Sequence, residues 1–282
     1  MNVFRCGAAR AIEAGGLRLA AWEWGARGRP AILLLHSLAA HSHWWDGAAA
    51  LMEDTFHIVA LDFRGHGRSG HAAPPAYRFD DYVADAVAAL DALGWQAPIV
   101  VGHSMGAYVG STLAARHPDR VGALVIGDML TSWTETMSER ARVMAERPAL
   151  PFASRDDAVA RFRLTPPETP APSDVLRHLA EIGVVESGDG LFRFAFDRHV
   201  FLHPPLDPWH FLPRIRCPTL VIRGEGSVVM PRDAGERVAA APKRASFVEL
   251  KDAWHHLILD DPAAFSHAIR SWLADIHKED LR

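Results

Sequence analysis

A serine flanked by two glycines stands at the junction of an apolar run and a stretch of small residues. The segment Gly102-His103-Ser104-Met105-Gly106 follows the run at 97–101 and precedes helical spacing at 107–116. Because glycine has no Cβ, a strand can turn sharply into a helix here and hold Ser104 strained and exposed. The alternative interpretation is an ordinary helix N-cap serine. The strand before the motif and the helix after it favour a nucleophile.

Apolar runs of strand length alternate with helical patterns along most of the chain. Such runs lie at 31–35, 57–62, 97–101, 121–127, 219–223 and 246–250. This alternation predicts an α/β fold, with a mostly parallel central sheet and helices on both of its faces. From 130 to 210 the pattern changes to polar helical segments and proline-rich loops. We therefore predict a core domain formed by residues 1–129 and 211–282, and an inserted cap formed by residues 130–210.

The composition argues against several classes of partner. A formal net charge of −4 over 282 residues, without a run of basic residues, speaks against nucleic acid. Neither a signal sequence nor an apolar stretch long enough to span a bilayer is recognisable, so no membrane association is expected. Cys6 and Cys217 lack a ligand spacing, which predicts free thiols and a cytoplasmic location. The oligomeric state is left open.

Two further patterns suggest cofactors but fail on their context. The glycines at 65–70 fit Gly-x-Gly-x-x-Gly, yet residues 71–75 delay the helix that a pyrophosphate would need directly afterwards. The chain has 16 histidines, but His36, His41 and His43 lack the spacing of a ligand set. We expect neither a cofactor nor a metal.

Four segments, taken in chain order, resemble the motifs of the α/β-hydrolase superfamily. They are residues 36–38, 62–69, 102–106, and 252–256 followed by 260–262. The resemblance extends over nearly all of the chain outside residues 130–210. It implies the α/β-hydrolase fold, with a central sheet and an inserted helical cap. The fold itself hosts many chemistries, so the reaction must be argued from the site.

The resemblance also implies roles for particular residues. Ser104 takes the position of the nucleophile and His255 that of the base. The backbone N–H groups of Leu38 and Met105 take the positions of the oxyanion-hole donors. Ser37 replaces the glycine that the family usually carries in this loop and places an additional hydroxyl near the site.

The acid is the point at which the sequence departs most from the family. An aspartate is expected in the loop at 223–230, but Ser227 and Val228 occupy its place. Asp128 lies where some haloalkane dehalogenases and cofactor-free dioxygenases carry a relocated acid. A carboxylate at either place can orient the imidazole, because a triad is defined by its geometry. We favour Asp128, with Glu225 or a Ser-His dyad as the alternatives.

Apolar side chains accumulate where a substrate pocket is expected in this fold. Together they predict an apolar cavity suited to a small ester or acyl compound. The candidate lining residues are Ser37, Trp44, Trp45, Met129, Trp133, Phe152, Phe162, Trp209 and Val228.

These residues predict a serine hydrolase that cleaves a carboxylic ester, lactone or related acyl bond of a small apolar substrate. Two other functions remain open at this point. One is a cofactor-free oxygenase or lyase that uses the His-Asp pair as a base, with Ser104 only binding the substrate. The other is a non-catalytic receptor for a small ligand. The substrate itself is not readable from the sequence.

Overall fold

A mixed sheet lies at the centre of the protein. The computed structural model describes residues 6–73, 75–202 and 206–279. Within these ranges the strands are β1 (Ala8–Ala14), β2 (Leu17–Trp24), β3 (Ala31–Leu35), β4 (His57–Leu61), β5 (Ile99–His103), β6 (Ala123–Gly127), β7 (Val184–Glu186), β8 (Phe192–Phe194), β9 (Thr219–Gly224) and β10 (Ala245–Leu250). The eight-stranded sheet has the order β1-β2-β4-β3-β5-β6-β9-β10, and β7 pairs separately with β8.

From β4 to β10 in the order along the sheet, the strands run parallel to one another. Strand β2 is antiparallel to both β1 and β4. The predicted mostly parallel sheet is therefore confirmed. Strand β1 was not predicted, because its sequence is rich in alanine and buries only Ile12 and Ala14. It forms at the sheet edge through pairing with β2.

Helices cover both faces of the sheet, as predicted. They are α1 (Asp46–Ala50), α2 (Phe79–Leu93), α3 (Met105–Arg116), α4 (Glu135–Glu146), α5 (Arg155–Arg161), α6 (Ser173–Ile182), α7 (Arg232–Ala240), α8 (Leu257–Asp260) and α9 (Pro262–Glu279). The buried side chains of α2, α3 and α7 belong to one apolar cluster, and those of α1, α8 and α9 belong to a second. No helix in the described ranges has both the length and the apolarity required to cross a bilayer.

The segment between β6 and β9 lies outside the eight-stranded sheet. We refer to residues 130–210 as the insert; it contains α4, α5, α6 and the hairpin of β7 and β8. On one side the Gly67 N–H donates to the Ala195 carbonyl oxygen at 2.7 Å. On another side the His256 ring bonds to the Pro166 carbonyl oxygen at 2.8 Å. The insert thus contacts the core close to the carboxyl ends of the parallel strands.

Candidate active site

Ser104 occupies a strained turn between β5 and α3. Its φ of 53° lies in the left-handed region, which a non-glycine residue adopts only where its surroundings enforce it. A Cβ at Gly102 would lie 2.3 Å from the carbonyl oxygen of Gly106, and a Cβ at Gly106 would lie 2.1 Å from that of Leu35. Both glycines are therefore required by close backbone packing, and the half-buried Ser104 stands at the end of the strand.

The structure brings His255 and Asp128 together although 127 positions separate them in the chain. The His255 Nδ1–H donates to Asp128 Oδ1 at 2.8 Å, and both side chains are buried. Glu225, the competing carboxylate, is exposed and accepts instead from the Asp252 backbone N–H at 3.2 Å. Of the two candidate acids, Asp128 is therefore the one placed against the imidazole.

Ser227 is a member of the site that sequence reasoning did not identify. Its hydroxyl donates to Asp128 Oδ1 at 2.6 Å, while the Gly224 N–H donates to Oδ2 at 3.1 Å. The available signal was its place in the loop, since Ser227 stands where an aspartate was expected. The loop that lacks the expected aspartate thus supplies two hydrogen bonds to the Asp128 carboxylate.

Val228 does not lie where the sequence suggested. Its side chain is 68% exposed, whereas Ser227 beside it is buried and bonded to Asp128. The prediction that Val228 lines an apolar pocket beside the histidine is therefore wrong. The reason is the direction of the loop, which turns Ser227 towards Asp128 and the next side chain towards solvent.

Burial shifts the pKa values of Asp128 and His255 in opposite directions. Burial raises the pKa of Asp128, and the hydrogen bonds from Ser227 and Gly224 act in the opposite direction. Burial lowers the pKa of His255, and the neighbouring His256 lowers it further. The His255 ring is thus held neutral at neutral pH. A neutral ring with Nδ1–H donated to Asp128 keeps a lone pair on Nε2, which can accept a proton.

The loop after β3 is braced by two fully buried histidines. The His36 Nδ1–H donates to the Ser37 carbonyl oxygen at 2.7 Å, and its Nε2 accepts from the Phe63 N–H at 3.0 Å. The His66 Nε2 accepts from the Ala39 N–H at 3.1 Å. These bonds fix the backbone on both sides of Leu38. The sequence placed His36 in the motif at 36–38 but did not reveal this bracing role, which depends on a contact with the distant Phe63 backbone.

The two candidate oxyanion donors belong to different elements. Met105 is the first residue of α3, and its N–H is among those at a helix start that have no partner within the helix. Leu38 is half-buried in the braced loop, directly after the buried Ser37. Both positions adjoin the turn at residues 102–106, which we call the elbow, because Gly106 packs against the backbone of Leu35 and His36.

The aromatic residues predicted to line a pocket divide between the core and the insert. Trp45 is fully buried and packs against Phe265 at a ring-centroid distance of 6.0 Å, so its prediction as a pocket residue is wrong. Trp44 contacts the His256 ring edge to face at 5.6 Å, beside the proposed base. Met129, directly after Asp128, is fully buried as well, so its prediction as a pocket residue is also wrong.

The other predicted lining residues lie in the insert. Phe152 contacts the Phe194 ring, and Trp133 pairs with Leu206 in an isolated bridge. Trp209 carries the Arg237 guanidinium over its ring at 4.2 Å. Phe162 lines a cleft of about 690 Å³ formed by residues of the insert, and neither Ser104 nor His255 is among its lining residues. This cleft is therefore a feature of the insert and separate from the elbow.

Comparison with known proteins agrees with this architecture. A family model described as the alpha/beta hydrolase fold matches residues 30–161. The RutD protein of Caulobacter segnis, whose carbamate hydrolase activity is named provisionally, is 27% identical over 89% of this chain and 93% of its own length. The 3-oxoadipate enol-lactonase 2 of Acinetobacter baylyi is 26% identical over 88% of this chain and 90% of its own length.

The solved structures include a close match to the whole fold. The crystal structure of E-2-(acetamidomethylene)succinate hydrolase superimposes with a TM-score of 0.81 at 24% identity. The match covers 96% of this chain and 100% of that one. The family model, the relatives named as hydrolases and this superposition together show an enzyme with the α/β-hydrolase fold.

Proposed function

We propose that this enzyme is a serine hydrolase that cleaves a carboxylic ester, lactone or related acyl bond of a small apolar substrate. The observation that supports this most strongly is the 2.8 Å bond between His255 Nδ1 and the buried Asp128 carboxylate. It leaves Nε2 of a neutral imidazole available. The segment that carries His255 also contacts the end of β5, where the His255 carbonyl oxygen accepts from the ring of His103, the residue before the strained Ser104. These are the parts of a nucleophile, base and acid arrangement.

In the first half of the reaction, Ser104 Oγ attacks the carbonyl carbon while His255 Nε2 takes the hydroxyl proton. Asp128 holds the ring and stabilises the imidazolium that forms. The Leu38 and Met105 N–H groups bind the negative oxygen of the tetrahedral intermediate. When the intermediate collapses, the imidazolium returns its proton to the leaving oxygen. An acyl-Ser104 ester and the free alcohol result, or a ring-opened acyl-enzyme where the substrate is a lactone.

In the second half, water takes the place of the alcohol. His255 removes a proton from the water as its oxygen attacks the acyl carbon, and the same amides hold the second oxyanion. Collapse breaks the bond to Ser104 Oγ, which recovers its proton from His255. The carboxylic acid leaves and the enzyme returns to its starting state.

The substrate class follows from the surroundings of the elbow and from the relatives. Trp44 lies against the His256 ring beside the proposed base, and an apolar site of this kind favours compounds with little charge. A relative that is 26% identical is named as an enol-lactonase. We assign residues 130–210 as the cap that covers this site, through its contacts at Ala195 and Pro166.

A substrate panel with a Ser104→Ala variant tests this proposal. p-Nitrophenyl esters of varied acyl length and a set of small lactones should be hydrolysed by the wild type, and S104A should lose at least about 10³-fold in kcat. Activity that survives S104A and consumes oxygen would instead identify a base-driven oxygenase. Absence of turnover throughout the panel, with tight binding of a small ligand, would identify a receptor.

A further inference from the structure

Three buried histidine rings form a cluster at the proposed active site. The His255 ring centroid lies 4.9 Å from that of His103 and 5.0 Å from that of His256, and the latter two are 6.2 Å apart. Each residue has one ring nitrogen in a set of three that all lie within 4.8 Å of one another. The proposed mechanism uses His255 alone, so His103 and His256 need an account of their own.

The second nitrogen of each ring is already committed to an acceptor. The His103 Nε2–H donates to the His255 carbonyl oxygen at 2.7 Å, and the His256 Nε2–H donates to the Pro166 carbonyl oxygen at 2.8 Å. Because a carbonyl oxygen can only accept, these bonds place the proton on Nε2 of both rings. The Asp128 carboxylate likewise fixes the proton of His255 on Nδ1.

The remaining ring nitrogens therefore carry lone pairs. These are Nδ1 of His103, Nδ1 of His256 and Nε2 of His255. Within the described residues, neither Nδ1 has a hydrogen-bond partner, although both atoms are buried. A buried acceptor without a donor is costly, which makes these two atoms the most unusual feature of the cluster.

This arrangement is the one that metal-binding histidines adopt. A ligating imidazole donates its other N–H to a carboxylate or a backbone carbonyl, which fixes the tautomer and directs the lone pair at the metal. All three rings meet that condition here. Ligand nitrogens around a tetrahedral zinc ion are about 3.4 Å apart, so three ring nitrogens within 4.8 Å of one another must each move by about 1 Å towards a common centre to hold the ion.

We propose that His103, His255 and His256 bind a divalent late transition-metal ion, Zn²⁺ or Cu²⁺, and that its binding inhibits the enzyme. Three neutral imidazole nitrogens suit both ions, with Cu²⁺ favoured by the general order of affinities. The metal has no part in turnover. It takes the Nε2 lone pair of His255, which then cannot accept the Ser104 proton.

The inhibitory part of this inference rests on the proposed function, because it requires His255 to act as the base. The binding part does not. A metal-binding measurement without substrate therefore separates the two. If the ion binds at the three histidines and the protein has no hydrolase activity, the proposed function fails while the site stands.

A second group of ligand-type side chains provides the control. Cys6, His43 and Asp46 also have one ligand atom each within 4.8 Å of one another. There, however, the thiol and the His43 ring both bond to the Asp46 carboxylate, at 3.6 and 3.1 Å. Cys6→Ser disables this group and leaves the three histidines unchanged.

Substitution of His256 is designed to separate ligation from positioning. In His256→Gln, the side-chain amide N–H can still donate to the Pro166 carbonyl oxygen, while the imidazole lone pair is lost. His256→Asn lacks the reach for that bond. The same dissociation constant for metal in both variants would show that the lone pair matters rather than the contact with the insert.

The experiment titrates the full-length protein with Cu²⁺, recording nitrogen hyperfine coupling by EPR, and with Zn²⁺ in competition with a chromophoric chelator. We expect one ion per chain with nitrogen coupling, a dissociation constant at least about tenfold weaker in H256Q, and no change in C6S. Zn²⁺ should also slow fluorophosphonate labelling of Ser104 by at least about tenfold, and EDTA should reverse this.

Two results would overturn the inference. One is the absence of stoichiometric binding to wild-type protein at micromolar Zn²⁺ and Cu²⁺. The other is binding that H256Q leaves intact and C6S removes, which would assign the ion to the second group. If circular dichroism shows that H256Q is unfolded, His103→Gln provides the same test, because it removes the other unpartnered Nδ1.

Discussion

At the scale of single residues, the Asp128 carboxylate orients the proposed base. It accepts from the His255 ring, the Ser227 hydroxyl and the Gly224 N–H, at 2.8, 2.6 and 3.1 Å. Three donors on one buried carboxylate leave it a single orientation. The imidazole that bonds to it is fixed both in its tautomer and in the direction of Nε2.

Replacement of Asp128 by asparagine tests this role against that of Glu225. The asparagine amide can present a donor to Nδ1, which favours the tautomer that carries its proton on Nε2. We expect D128N to lower kcat by roughly 10³–10⁴-fold, and the matched E225Q change to leave it within about twofold. Steady-state kinetics on the best ester of the panel measures both. The opposite ranking of the two variants would contradict the assignment of the acid.

The pH dependence of kcat/KM reports the state of His255. Only the neutral ring accepts a proton, so activity is lost as the pH falls through the pKa of His255. Burial lowers this pKa below the ordinary value of 6.5, so the acid limb should lie below pH 6.5. A profile measured between pH 4 and pH 8 tests this. An inflection at or above 6.5 would show that the ring is not desolvated as described.

The sequence was sufficient to select Ser104 and His255 because short motifs carry them. Asp128 was selected among alternatives only through the resemblance to families with a relocated acid. The contribution of Ser227 was not predictable, because it depends on which way one loop turns its side chains. Val228 illustrates the same limit, since its neighbour in sequence points in a different direction.

At the scale of elements, backbone contact between β3, β5 and α3 shapes the elbow. Gly106 lies against the carbonyl groups of Leu35 and His36, and Gly102 lies against the first turn of α3. The helix start and the loop after β3 are thereby brought close together. The relative placement of the two proposed oxyanion donors depends on this contact.

Alanine at Gly106 should therefore be strongly destabilising. The added Cβ would meet the Leu35 carbonyl oxygen at 2.1 Å, and backbone cannot yield as the end of a side chain can. We expect G106A to lower the free energy of unfolding by about 3 kcal/mol or more. Gly188 is the matched control, because nothing lies within 4 Å of its added Cβ, and G188A should stay within about 0.5 kcal/mol. Urea denaturation compares the two, and equal stabilities would contradict the packing described here.

Elements with continuous apolar runs were the predictable ones. Strands β3, β4 and β6 are almost entirely buried, so their sequences had no exposed face to obscure the pattern. Strand β1 escaped prediction because its partner, rather than its own composition, stabilises it. The bracing by His36 and His66 was equally hidden, since each bonds to backbone far away in the chain.

At the scale of the whole molecule, the fold assembles the site from distant parts of the chain. Ser104, Asp128 and His255 follow β5, β6 and β10 respectively, and parallel strands present their carboxyl ends at one edge of the sheet. This convergence was predictable once the order of strands and helices was recognised. The seating of the insert was not, because it depends on individual contacts between side chain and backbone.

The contacts of the insert concentrate near the proposed base. His256 bonds to Pro166, and the Thr169 hydroxyl donates to the Asp260 carboxylate, which also accepts from the Trp254 N–H. A second group joins the insert to α1, where the His178 ring lies 2.8 Å from Asp46. The segment that carries His255 is therefore held from the insert side as well as from the sheet.

We refer to Ser104, His255 and Asp128 together as the proposed relay, and covalent labelling of Ser104 tests all three at once. A fluorophosphonate reacts with a serine hydroxyl only when a neighbouring base removes its proton. Intact-mass spectrometry and peptide mapping should show one adduct per chain, on Ser104, with labelling slowed by at least about 10²-fold in His255→Ala. Folded wild-type protein that stays unlabelled, or that is labelled equally fast without His255, would contradict the proposed relay.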